Sequence, residues 1–70
     1  MKELRYKGYL IRTFPQELWP WLKALARVFW WEGNDGIEKE LVPPKGRTFE
    51  TQEQSLDYAE AMAREFIDAR

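Results

Sequence analysis

Short runs rich in β-formers, set off by proline and glycine, fill the chain from Tyr6 to Val42, and after Thr51 the apolar residues return at helical spacing. Successive side chains point to opposite faces of a strand, whereas on a helix only residues three or four apart share a face, so the two periods separate strands from helix. Residues 6–14, Tyr-Lys-Gly-Tyr-Leu-Ile-Arg-Thr-Phe, are rich in β-formers and predict a first strand, stopped by Pro15, which has no N–H for a ladder. Residues 15–20 read as a connection with a proline at each end, and Pro20 biases Trp19 toward extended backbone. From Trp21 onward the helix-forming residues 22–27 compete with a period-two reading. Alternation decides for a second strand. Leu22, Ala24, Ala26, Val28 and Trp30 share a face without charge, Lys23, Leu25, Arg27, Phe29 and Trp31 share the other, and the run ends in the β-rich Val28-Phe29-Trp30-Trp31. Gly33-Asn34-Asp35-Gly36 predicts a hairpin, and residues 37–42 a third strand closed by Pro43-Pro44-Lys45-Gly46. Its charges suit an edge strand, where they discourage further pairing.

Thr51-Gln52-Glu53-Gln54 fits the capping box, in which the hydroxyl accepts from the amide three residues on and the glutamine side chain reaches back to the cap. In the helix that follows, Leu56, Ala59, Met62, Ala63, Phe66 and Ile67 form one stripe, and Asp57, Glu60, Arg64, Glu65 and Asp68 lie opposite. Such a stripe needs an apolar partner, and the charge-free side of the second strand is the one of matching size. The predicted fold is therefore α+β, a single domain over residues 1–70: a three-stranded antiparallel sheet with one C-terminal helix packed on one face, β-β-β-α in two layers.

This order of signals opens with Tyr6-Lys7-Gly8-Tyr9-Leu10-Ile11, passes through a tryptophan-led central strand, and closes with Phe49-Glu50-Thr51 before a helix ending Phe66-Ile67-Asp68. It resembles small uncharacterised bacterial β-β-β-α proteins and, more loosely, the N-terminal domain of HicB-type antitoxins. The resemblance implies the two-layer fold and, through the second group, a HicB-like regulatory protein as one alternative; the uncharacterised group implies no activity. Where HicB-like chains carry an alanine pair after the cap and a Gly-Cys segment before it, this chain has Ser55 and no cysteine.

Composition then narrows the chemistry. The chain has 70 residues with neither histidine nor cysteine, so imidazole and thiolate ligands, disulfides, a cysteine nucleophile and a histidine base are all excluded. Ser55, the sole serine, reads as a solvated residue of the first helical turn with no base beside it. Glu38 and Glu40 read as solvated charge next to a hairpin. Asn34-Asp35-Gly36 with those two glutamates lacks the ligand spacing of a calcium loop, and Pro44-Lys45-Gly46-Arg47-Thr48 lacks the glycine pattern of a phosphate loop. The chain is expected not to be an enzyme and to take no metal, cofactor or small-molecule substrate. No apolar run of signal-peptide length follows Met1-Lys2-Glu3-Leu4-Arg5, and the apolar residues 24–31, broken by Arg27, fall far short of the roughly 20 that span a bilayer. A cytoplasmic protein without a membrane segment is expected.

The net charge of −1 weighs against nucleic acid as the main partner, yet it hides a split. Residues 1–31 carry +4 and residues 32–70 carry −5, so the two halves attract one another. With the helix over Leu22, Ala24, Ala26 and Val28, the side left open would present Lys23, Leu25, Arg27, Phe29 and Trp31, joined by Leu10, Arg12 and Phe14 from the first strand. Arginine and large aromatics together are the composition of a protein interface, either with a partner protein or with a second copy as a homodimer. The same residues would also serve as a stacking platform for single-stranded nucleic acid, the alternative reading. A third arrangement folds Trp19 and Trp21 over this face within one chain.

Overall fold

The computed structural model describes residues 1–18 and 21–70. Strands β1 (Lys2–Tyr6), β2 (Tyr9–Leu18), β3 (Trp21–Glu32) and β4 (Asp35–Leu41) form one antiparallel sheet in the order β1-β2-β3-β4, and helix α1 (Gln52–Asp68) follows. The class and the C-terminal helix agree with the sequence pattern, but the sheet has four strands where the pattern predicts three.

The additional strand arises at Lys7-Gly8. Residues 6–14 read as one strand but fold as the end of β1, a two-residue turn and the start of β2. Lys7 (φ 51°) and Gly8 (φ 85°) both lie in the left-handed region, as a type I′ hairpin turn requires. Glycine adopts that backbone freely, whereas a side chain with a Cβ loses about 1–2 kcal/mol there. Lys7 is held in place by its Nζ, 2.7 Å from Asp68 Oδ1. Lys-Gly is not one of the favoured hairpin pairs, which is why the turn is faint in the sequence.

Pro15 does not end its strand either. The turn bond between Tyr6 and Tyr9 points the backbone groups of Tyr9, Ile11, Thr13 and Pro15 toward β1, because bonded directions alternate along an antiparallel strand. Since β1 begins at Lys2, opposite Thr13, no neighbour needs the N–H that Pro15 lacks, and β2 continues to Leu18. The expectation for Trp19 and Pro20 lies outside the described residues. At the β3–β4 hairpin the loop is Gly33-Asn34 alone, with the positive φ on Gly33 (61°), the first central position of a type II′ turn. Asp35 and Gly36 already belong to β4. Gly36 is there for space: a Cβ would stand 3.1 Å from Phe29 Cζ and 3.2 Å from Phe29 Cε2, so the ring lies over bare backbone.

Helix α1 covers β2 and β3. Its Ala59, Ala63 and Ile67 join Ile11, Ala24, Ala26, Val28, Trp30 and Phe49 in the buried core, small residues on both elements letting helix and sheet approach closely. Trp30 packs between Tyr9 (ring centroids 5.4 Å apart) and Phe66 (5.9 Å). Phe49 is placed by two backbone bonds: its N–H donates to the Leu22 carbonyl at 2.7 Å, and the Leu22 N–H donates to its carbonyl at 3.3 Å. The chain thus returns from β4 to the start of β3 before the helix begins. Thr51 caps the helix, its Oγ1 accepting from the Gln54 N–H at 3.1 Å, and Gln54 Oε1 accepts from the Glu50 N–H at 3.3 Å. Ser55 is not solvated. It is fully buried, and its hydroxyl donates to the Lys23 carbonyl at 2.9 Å, which ties the first helical turn to β3.

The charge split becomes contacts across the fold. Lys2 Nζ lies 2.8 Å from Glu60 Oε1, and Asp68 binds both Lys7 and the Tyr6 hydroxyl, so β1, which α1 does not cover directly, is held by polar ties at the helix margin. Among the described residues no helix is long and apolar enough to cross a membrane.

Candidate functional site

Alternation along four paired strands assigns every side chain to a face, and register assigns its neighbours. The pairs Glu3↔Arg12, Arg12↔Arg27 and Arg27↔Glu40 place four charged residues in one row across the side opposite α1, negative at both edges and positive in the middle. Like charges directly opposite repel, and each arginine turns outward to its acidic neighbour. Arg12 Nε lies 2.7 Å from Glu3 Oε2; Arg27 Nε lies 3.5 Å from Glu40 Oε2 and 3.9 Å from Glu38 Oε1. One row above on the same face, Leu10 faces Phe29 and Phe29 faces Glu38; one row below, Phe14 faces Leu25. Aromatics therefore flank the arginine row, with the Arg27 guanidinium 5.5 Å from the centre of the Phe14 ring and Phe29 meeting Trp31 edge-on at 5.6 Å. Leu10, Arg12, Arg27, Phe29 and Glu38 line a shallow depression of about 240 Å³.

All seven residues singled out in the sequence, Arg12, Phe14, Lys23, Leu25, Arg27, Phe29 and Trp31, lie on this one face. Their exposure differs. Trp31 is 67% exposed, Arg12 and Arg27 are exposed, and Phe14, Lys23 and Phe29 are half-buried. Leu25 is a correction: at 5% exposure it cannot offer an accessible contact, although it stands apart from the cluster under the helix. Trp21 is 58% exposed, so it does not fold over the face within the chain; Trp19 lies outside the described residues. With the single helix on the other side, no further strand or helix of the described residues covers this surface.

A second apolar surface was not anticipated. The row Tyr58, Met62 and Phe66 on α1 faces Leu41 and Val42 across a groove of about 500 Å³ along the β4 margin. The spacing of four along the helix was its signal; that row overhangs the part of the sheet which α1 leaves uncovered. Among the described residues, no three acidic side chains gather in a group that could hold a metal ion. No protein-family model, no curated protein and no solved structure matches this chain.

Proposed function

We propose that the chain is a non-catalytic interaction module whose open sheet face binds a partner protein. The observation that carries this reading is the pairing of the exposed Trp31 with Phe29 beside the Arg12–Arg27 depression, on a face that no helix covers. Aromatic anchors near arginines form the centre of protein interfaces, where planar groups contribute large contact area and guanidinium hydrogen-bonds in several directions. The same composition would suit single-stranded nucleic acid, but Arg12 and Arg27 already share three glutamates, so the row has little net positive charge to offer a phosphate backbone.

The test is the double substitution Arg27→Glu with Phe29→Ser, which alters this face and leaves the helix-side core intact. A tagged native chain is used to capture partners, each captured protein is purified and mixed back, and self-association is followed by sedimentation equilibrium. A partner that binds the native chain as a purified pair and is lost in the double variant, with far-UV circular dichroism unchanged, supports the reading. Binding that the double variant leaves untouched defeats it, as does a steep, salt-sensitive affinity for oligonucleotides, which would move the function to nucleic acid.

A further inference from the structure

Among the described residues the sheet has two free edges, β1 and β4, and their charges treat a second copy of the chain in opposite ways. At the β1 edge the backbone groups of Tyr6, Leu4 and Lys2 are bonded to β2, since the Tyr6–Tyr9 turn bond sets the phase. Glu3 and Arg5 therefore point their N–H and C=O outward. At the β4 edge the same rule, started from Glu32 and Asp35, turns Gly36, Glu38 and Glu40 outward. A strand added at either edge, with the sheet faces kept in common, must pair these outward residues with outward residues.

For β4 against β4, the registers centred on Glu38, Lys39 or Glu40 set glutamate opposite glutamate, which is repulsive, and the one centred on Ile37 sets Glu38 opposite Gly36, with no opposite charge to attract it. For β1 against β4, a register that places Arg5 opposite Glu38 also places Glu3 opposite Glu40, and the contact is head-to-tail, so it does not close. β1 against β1 is different. Centred on Leu4, antiparallel pairing sets Glu3 opposite Arg5 twice, closes four outward backbone bonds, and brings the two half-buried Leu4 side chains together. Glu3 and Arg5 are exposed, and among the described residues Arg5 has no ion-pair partner of its own. The polar contacts of helix α1 with β1 come from the side chains of Glu60, Arg64 and Asp68 and reach Lys2 and Tyr6, not the outward residues Glu3 and Arg5.

We propose that the chain forms a symmetric dimer by antiparallel pairing of β1 with β1 of a second copy, Glu3 opposite Arg5, joining two four-stranded sheets into one. The dimer leaves the open faces uncovered and side by side, so it is independent of what those faces bind. With only five residues in β1 the contact is small, which places it among weak, reversible associations.

Sedimentation equilibrium from about 10 µM to about 1 mM covers that range of affinity. The native chain is expected to move from its 8.5 kDa monomer toward twice that mass. E3R and R5E each reverse two facing pairs per dimer, and each alone is expected to raise the dissociation constant about tenfold or more. Mixed in equal amounts the two variants face opposite charges again and should associate at least as well as the native chain. Amide exchange at Glu3 and Arg5 should slow with concentration, and that at Glu38 and Glu40 should not. Circular dichroism confirms that each variant is folded. A native chain that stays monomeric throughout overturns the proposal, as does a dimer indifferent to both variants or a mixture no better than its components. Association lost in the Arg27→Glu, Phe29→Ser chain but kept in E3R and R5E would overturn this proposal and leave the open-face reading standing.

Discussion

The two faces of the sheet are made by the same four strands but are held together differently. The covered face is organised by exclusion: Ile11, Ala24, Ala26 and Val28 are buried, and its two buried polar side chains, Thr13 and Ser55, both donate to backbone carbonyls. No buried side-chain nitrogen or oxygen among the described residues lacks a partner. The open face is organised by pairing, with charges neutralised across the strands and rings left partly in solvent. Stability is concentrated on the first, because burial removes apolar area from water and an unpaired polar group there has no solvent to turn to. The exposed residues of the second, Arg12, Arg27 and Trp31, can change at little cost to the fold, which leaves them available for contact with something else.

Neighbours in sequence give the sharpest version of this contrast. Ile11 and Arg12 are adjacent on β2 and point to opposite faces. Ile11→Ala should cost about 2–5 kcal/mol, a large part of what a small domain possesses, because the site is sealed by the helix. Arg12→Ala removes an exposed ion pair and should cost about 1 kcal/mol or less. Urea denaturation of both variants reads the difference directly, and equal losses would mean that the open face shares in the core. Ser55→Ala should fall between them, about 1 kcal/mol, since the Lys23 carbonyl loses a hydrogen-bond donor at the place where helix meets strand. A neutral result would show that the contact positions the helix without stabilising it.

The contrast also explains what could be read in advance. A charge-free face is visible in a sequence because exclusion leaves a gap at every second position, and Ala24, Ala26 and Val28 with the stripe Ala59, Ala63 and Ile67 were legible for that reason. Face assignment was legible too, and Arg12, Phe14, Arg27, Phe29 and Trp31 do share one side. Register was not. That Arg12 and Arg27 stand directly opposite one another depends on where β2 ends and β3 begins, and the Glu3–Arg12 pair was hidden because β1 is announced only by Lys7-Gly8, a poor hairpin pair by residue type. The burial of Leu25 was hidden as well, since alternation tells which way a side chain points and not how neighbouring side chains spread over it. Ser55 was misplaced for a related reason: the helix start reads as solvent-facing until the return of Phe49 to β3 draws it inward.

Acid provides the finest probe of where the covered face ends. At the β1 margin its apolar contacts give way to polar ones, and the hydrogen bond from Lys2 holds the Glu60 carboxyl below its ordinary pKa, while Lys7 and then Tyr6 do the same for Asp68. A carboxyl lowered on folding stabilises the fold above its ordinary pKa and loses that contribution as the pH falls through the lowered value. The lysines are raised by the same pairs, Lys2 chiefly by Glu60 and Lys7 chiefly by Asp68, so their share is complete below the ordinary lysine pKa and lost only as the pH rises through the raised values. Acidification below the carboxylate range should therefore loosen β1 from α1 before it disturbs the core. The expected observation is faster amide exchange at Leu4 and Tyr6 and a shifted Tyr6 ring resonance, with Val28 and Ala63 unchanged until lower pH. If β1 and the Val28 strand loosened together, the margin would have no separate stability, and the polar ties would count only as part of one cooperative unit.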